Sequence, residues 1–169
     1  LPFGDYYVIG EWYGGSINTI ALSATSTAPT PRAMNNVCTN AMPVTPDGSA
    51  ASVAVDGLAL GGDYSTRCGS GVNATTSYRD AVFSYTLTST RDVTVTVAYA
   101  STAYFEVWST CGDSVSALLT CTTTSGGSGR LTIPRQAPGT YFIVAQTAAS
   151  TGPLAASVST MVPGTMSGY

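Results

Sequence analysis

The chain has 169 residues, of which 44% are apolar and only 9% charged, with a net charge of −3. That length supports one domain-sized core, and the charge content falls far below the roughly 25% of an ordinary soluble domain, Ser and Thr standing in its place. The six basic residues are all arginines (Arg32, Arg67, Arg79, Arg91, Arg130 and Arg135) and are scattered, so no basic stripe faces a nucleic acid, and no apolar run reaches the roughly 18–20 residues that cross a bilayer by helix.

The chain opens at Leu1 without Met or a signal-peptide pattern, as expected of a mature or excised piece of a longer precursor. Residues 1–25 read as a β-hairpin: Gly4-Asp5-Tyr6-Tyr7-Val8-Ile9, a loop at Gly14-Gly15, and a second strand over 17–25. Residues 26–33 form a Thr/Pro linker, semi-extended in character. A β-sandwich follows over 34–163, and residues 164–169 are a tail. Its strands are expected near 52–60, 81–87, 93–99, 103–109, 115–122, 129–133, 140–146 and 154–161. Period-2 alternation carries this reading: Ala81, Phe83, Tyr85 and Leu87 share one face, as do Val93, Val95, Val97 and Tyr99. Turn signals punctuate the strands at Gly61-Gly62-Asp63, Ser89-Thr90-Arg91-Asp92, Cys111-Gly112-Asp113, Gly126-Gly127 and Pro138-Gly139. About eight short strands with no helical period predict an all-β fold, an antiparallel sandwich of jelly-roll-like outline.

Cys38, Cys68, Cys111 and Cys121 contain no C-x2-C pair, and there is no His, so the residues do not suit zinc. An even count in a Thr-rich, Lys-free chain points to two disulfides and an oxidising compartment. Of three connectivities, Cys38–Cys68 and Cys111–Cys121 are expected, the second because it flanks a turn and a returning strand.

A repeat is the most informative feature. Residues 4–9 are echoed by Gly139-Thr140-Tyr141-Phe142-Ile143-Val144, and in both places a Gly-containing loop, a second strand and a Thr/Pro stretch follow. The first 25 residues therefore read as the last hairpin of one unit, preceding a whole second unit. Phe3, Tyr6, Tyr7, Val8, Ile9, Trp12, Tyr13, Ile17, Ile20 and Leu22 make that hairpin apolar, and a lone hairpin is marginal in water. It needs shelter from a preceding repeat, from its own chain, or from a neighbouring copy by strand donation. Those ten residues are the expected interface.

From Asn36 to about Val162 the chain resembles the bacterial pre-peptidase C-terminal domain, a jelly-roll-like sandwich found beside secreted proteases and in repeated surface proteins. The matching stretches are Asn36-Val37-Cys38-Thr39-Asn40-Ala41, Arg79-Asp80-Ala81-Val82-Phe83-Ser84-Tyr85-Thr86-Leu87, Tyr104-Phe105-Glu106-Val107-Trp108 with Cys111-Gly112, Leu118-Leu119-Thr120-Cys121, and Pro138 to Val144. The hairpin signature at Gly4–Ile9 places the resemblance with the tandem-repeat type. It implies a module without catalysis of its own that binds, aids secretion or acts as a spacer. Some members hold calcium on an Asp-rich turn after the last cysteine. Here Thr122-Thr123-Thr124-Ser125-Gly126-Gly127 offers no carboxylate there, whereas calcium takes six to eight oxygens, several of them charged.

Without His, Ser-His-Asp and Cys-His catalysis cannot be built from this chain. Gly69-Ser70-Gly71-Val72-Asn73-Ala74 fits a dinucleotide pattern only by spacing and reads as a turn beside Cys68. Glu106 between Tyr104 and Trp108 could imitate a sugar-cleaving or sugar-binding face; its plainer reading is a partly exposed strand face with one carboxylate paired to an Arg. Trp12, Tyr13, Tyr64, Tyr78 and Trp108 are candidates for an aromatic sugar platform. Asp80, Asp92 and Asp113 are expected to bond nearby backbone N–H groups.

The sequence thus predicts no enzyme, no metal and no cofactor. It predicts an extracellular or cell-surface structural module of a fibre or tandem array, joined by strand complementation to copies of itself or adjacent repeats. The alternative is an accessory adhesion domain binding surface glycans or proteins. Neither nucleic-acid binding nor membrane insertion is expected.

Overall fold

The computed structural model describes residues 7–10, 15, 21–25, 35–54, 60–68, 78–112, 118–124, 127–148 and 152–164. Two compact units divide the chain, Leu1–Pro31 and Arg32–Tyr169.

In the second unit a short 3-10 turn, Cys38–Asn40, precedes nine strands among the described residues: β1 (Met42–Pro43), β2 (Asp47–Ala54), β3 (Arg79–Leu87), β4 (Arg91–Tyr99), β5 (Ala103–Trp108), β6 (Leu118–Thr123), β7 (Gly127–Gln136), β8 (Gly139–Thr147) and β9 (Pro153–Met161). They form two sheets, ordered β1-β3-β8-β5-β6 and β2-β9-β4-β7. Leaving aside two-residue β1, this is the order of an eight-stranded jelly roll. The all-β sandwich expected from the sequence is thus what forms.

Alternation decides which side of each strand enters the core. Ala81, Phe83, Tyr85 and Leu87 of β3 meet Val93, Val95, Val97 and Tyr99 of β4, with Phe105, Val107, Ile143, Leu154 and Val158 between them, all buried. Each fully buried Val, Leu, Ile or Phe contributes about 1.5–3 kcal/mol against exposure. Tyr85 and Tyr141 stack with centroids 5.5 Å apart, and their hydroxyls donate to Gln136 Oε1 and the Ala137 carbonyl oxygen at 2.9 and 2.8 Å. The sheets approach so closely at Gly129 that a Cβ there would lie 2.6 Å from the Phe105 ring and 2.9 Å from the Thr123 carbonyl oxygen.

Three expectations are corrected. The strand placed at 52–60 begins earlier, as β2 over Asp47–Ala54; small residues in a half-exposed edge strand give little apolar alternation to read. Residues 140–161 are not a hairpin, because β8 lies between β3 and β5 while β9 lies between β2 and β4 in the opposite sheet. Of the consecutive strands only β5 and β6 are neighbours. In the first unit, the described residues 7–10 and 21–25 are not in strands.

The disulfides are the third correction. The structure joins Cys68 to Cys121, not Cys38 to Cys68 or Cys111 to Cys121, and leaves Cys38 and Cys111 as thiols. Cross-strand pairing explains this: β5–β6 register sets Cys121 directly opposite Glu106, and the Glu106 carboxylate holds the Cys68 backbone N–H at 3.0 Å. Cys111 lies past the end of β5, off that register.

Candidate functional site

The outward face of the five-stranded sheet carries an unusual set of side chains. Because Ala81, Ala145 and Phe105 face the core, their neighbours Asp80, Gln146 and Glu106 face outward, and all three are buried. What buries them is the segment 60–68, which crosses β3, β8, β5 and β6 as a strap.

Its bonds follow the strand order. On β3, the Asp80 backbone N–H donates to the Gly61 carbonyl oxygen at 2.8 Å, and Asp80 Oδ2 accepts the Tyr64 N–H at 2.6 Å. On β8, Gln146 Nε2 donates to the Tyr64 carbonyl oxygen at 2.7 Å and to Asp80 Oδ1 at 2.8 Å, while its Oε1 accepts the Thr66 hydroxyl at 3.1 Å. On β5, Glu106 Oε1 accepts the backbone N–H groups of Arg67 and Cys68, and Oε2 accepts the Trp108 indole N–H at 2.8 Å. On β6 the link is covalent, through Cys68–Cys121. β3, β8 and β5 therefore each offer a polar side chain matched to the strap's backbone, which satisfies polar atoms that burial would otherwise penalise, and β6 holds the strap covalently.

The β3 end is fixed by the segment before β1. Asn36 Nδ2 donates to Asp63 Oδ2 at 2.8 Å and Asn36 Oδ1 accepts the Gly61 N–H. The Cys38 N–H donates to the Tyr64 hydroxyl at 2.9 Å, and the Tyr64 ring meets Trp108 edge-on at 5.4 Å. Beneath lies a small apolar cluster of Cys38, Val82, Trp108 and Val144, with Ala41, Tyr64, Cys111, Leu118 and Phe142 packed against it.

Burial sets the electrostatics. It pushes the Asp80 carboxyl up to about 6, opposed by the Tyr64 N–H and Gln146 bonds. It also pushes the Tyr64 phenol up to about 12, helped by the Cys38 thiol and opposed by the Cys38 backbone N–H. The Cys38 thiol is raised for the same reason.

Of the ligand-binding candidates, Glu106 and Trp108 are fully buried and bonded to each other and to the strap, while Tyr104 is partly exposed. Both readings of Glu106, the open sugar-cleaving face and the partly exposed carboxylate paired to an Arg, are therefore corrected: the strap covers it, and its three donors are the Arg67 and Cys68 backbone N–H groups and the Trp108 indole. Among the platform aromatics, Tyr64 lies in the strap, Tyr78 is partly exposed, Trp108 is buried, and Trp12 and Tyr13 lie outside the described residues. Of the interface set, Tyr7, Val8, Ile9 and Leu22 are 86%, 65%, 82% and 67% exposed, and Phe3, Tyr6, Trp12, Tyr13, Ile17 and Ile20 lie outside the described residues. Asp80 and Asp92 do accept backbone N–H bonds, from Tyr64 and Arg135, but across 16 and 43 residues rather than locally; Asp113 lies outside the described residues. Sequence reasoning passed over Gln146, Thr66 and Asn36. The signal available was a polar residue beside an apolar run in each of two inner strands, Asp80 before Ala81-Val82-Phe83 in β3 and Gln146 after Ile143-Val144-Ala145 in β8.

Among the described residues no group of three His, Cys, Asp or Glu could hold one metal ion. No family model and no curated protein matches the chain in sequence. Among solved structures, it is similar to the pre-peptidase C-terminal domain of a collagenase from Bacillus anthracis, with 11% identity over 78% of this chain and 99% of that one, at a TM-score of 0.46. It is also similar to a periplasmic inhibitor of g-type lysozyme from Aeromonas hydrophila, with 19% identity over 69% of this chain and 96% of that one, at a TM-score of 0.37.

Proposed function

We propose that the chain is a non-catalytic structural module of an extracellular tandem array or fibre, with residues 1–25 completing the fold of an adjoining unit. One observation carries this. Residues 4–9 repeat the pattern of β8 and residues 17–25 that of β9. In the sandwich these two strands are central, one in each sheet, and each is flanked on both sides. A segment with that pattern needs four flanking strands, two in each layer, to bury its side chains. The unit over 35–163 fills those slots with its own β8 and β9, so the reading assigns residues 4–25 to a second unit.

Two further features support the reading. The buried carboxylates of Asp80 and Glu106 are committed to the strap, and the Cys68–Cys121 bond suits an oxidising, extracellular setting. The resemblance to pre-peptidase C-terminal domains accords with both.

Hydrogen exchange over residues 4–25 tests it, measured in the dilute chain, in the concentrated chain, and in a two-unit chain with residues 33–138 repeated ahead of Leu1. Slowed exchange only in the two-unit chain assigns the shelter to an adjoining repeat. Protection that grows with concentration assigns it to another copy. Fast exchange in all three, or full protection of the dilute single chain, overturns the proposal.

A further inference from the structure

With Cys68 bonded to Cys121, two thiols remain, and the fold brings them to one place. Cys38 is buried in the outer apolar cluster, and partly exposed Cys111 packs against that cluster from the turn after β5. The Cys38 sulfur takes a hydrogen bond from the backbone of Gly112, the residue next to Cys111. The Cys38 backbone is tied to the Tyr64 hydroxyl and opens the 3-10 turn Cys38–Asn40. Gly112 sits at φ +86, a left-handed turn position that glycine adopts without strain.

We propose that Cys38 and Cys111 form a second disulfide, closed by a disulfide oxidant and opened by thiol reductants. Partly exposed Cys111 is the thiol that meets the oxidant. Its thiolate attacks one sulfur of oxidised glutathione, forming a mixed disulfide and releasing one glutathione thiolate. The Cys38 thiolate then displaces the second glutathione. The two cysteine sulfurs give up two electrons and two protons, and both end on the two molecules of reduced glutathione. The bond joins the 35–41 segment to the β5–β6 loop. The outer layer is then anchored covalently at two places, with Cys68–Cys121 holding the strap. This inference is independent of the array reading.

Digestion at arginine and before aspartate puts each cysteine on its own peptide: 33–46, 68–79, 92–112 and 113–130. The full chain, equilibrated with oxidised glutathione, alkylated and digested without reduction, is expected to yield 33–46 linked to 92–112, alongside 68–79 linked to 113–130. Alkylated free thiols on 33–46 and 92–112, arrest of either at a glutathione adduct, or linkage of 33–46 to any other peptide overturns the assignment. A melting comparison gives a second readout. The oxidised chain is expected to melt roughly 5–10 °C above its Cys111→Ser variant, since with Cys68–Cys121 in place the new bond closes a ring of about 40 residues. The gap should vanish when both are fully reduced, and a gap that persists under reduction also overturns the proposal.

Discussion

Glu106→Gln tests the strap at its most loaded point. The carboxylate accepts three donors, the Arg67 and Cys68 N–H groups on Oε1 and the Trp108 indole on Oε2. A glutamine keeps one acceptor oxygen. Placed on the backbone pair, it turns its own NH2 toward the indole N–H, so two donors face each other in a site without solvent. One buried bond is lost and one indole N–H is left unpaired, which costs about 1–3 kcal/mol. Trp108→Phe removes the opposing donor, so the same Glu106→Gln change in that background is expected to cost under about 1 kcal/mol. Urea unfolding at pH 7 under non-reducing conditions measures all four corners of the cycle. With m of about 2 kcal/mol/M, a 2 kcal/mol loss lowers the midpoint by about 1 M. Additivity of the two changes within about 0.5 kcal/mol would refute the account, because residues sharing a hydrogen bond must couple.

Asp80, held near 6 by burial against an ordinary 3.8, favours its neutral form in the fold. Its contribution is complete below about pH 4 and is lost as pH rises through 6, a swing of about 3 kcal/mol. Asp80→Asn is expected to flatten that part of the stability–pH curve; an unchanged slope between pH 4 and 6 counts against it. Gly129→Ala drives a methyl into the Phe105 ring and the Thr123 carbonyl oxygen and is expected to cost about 1–3 kcal/mol in thermal or urea unfolding; a neutral result would mean the sheets separate easily there. Replacing Cys68 and Cys121 together by Ser opens a closure of sequence separation 53, worth about 4 kcal/mol in the chain-entropy limit. Hydrogen exchange should speed first in 60–68, and speeding confined to β6 would mean the strap is held without the bond.

The core was readable because it is written in period 2: Val93, Val95, Val97 and Tyr99 could only be one face of a strand, and all are buried. What escaped was everything that depends on which strands become neighbours. Alternation says that Glu106 and Trp108 share a side with Tyr104, but not that a segment some 40 residues upstream covers that side. The cysteine pairing failed for the same reason. Proximity along the chain favoured Cys111–Cys121, whereas the partner of Cys121 is chosen by the strap, which Glu106 holds against β5. β2 was misplaced because Ser, Ala and Gly in an exposed edge carry no period at all.

The order of strands also dictates when this unit can become itself. β2 pairs only with β9, and β9 separates β2 from β4, so one whole layer lacks its middle until residues 153–161 arrive. β8, the centre of the other layer, is almost as late. A chain emerging from its N-terminus can pair β5 with β6 and β4 with β7 early, but neither layer has its inner strand yet. The sandwich can therefore close only after its final strand is free. Loss of the last dozen residues of the sandwich should abolish the fold rather than trim it.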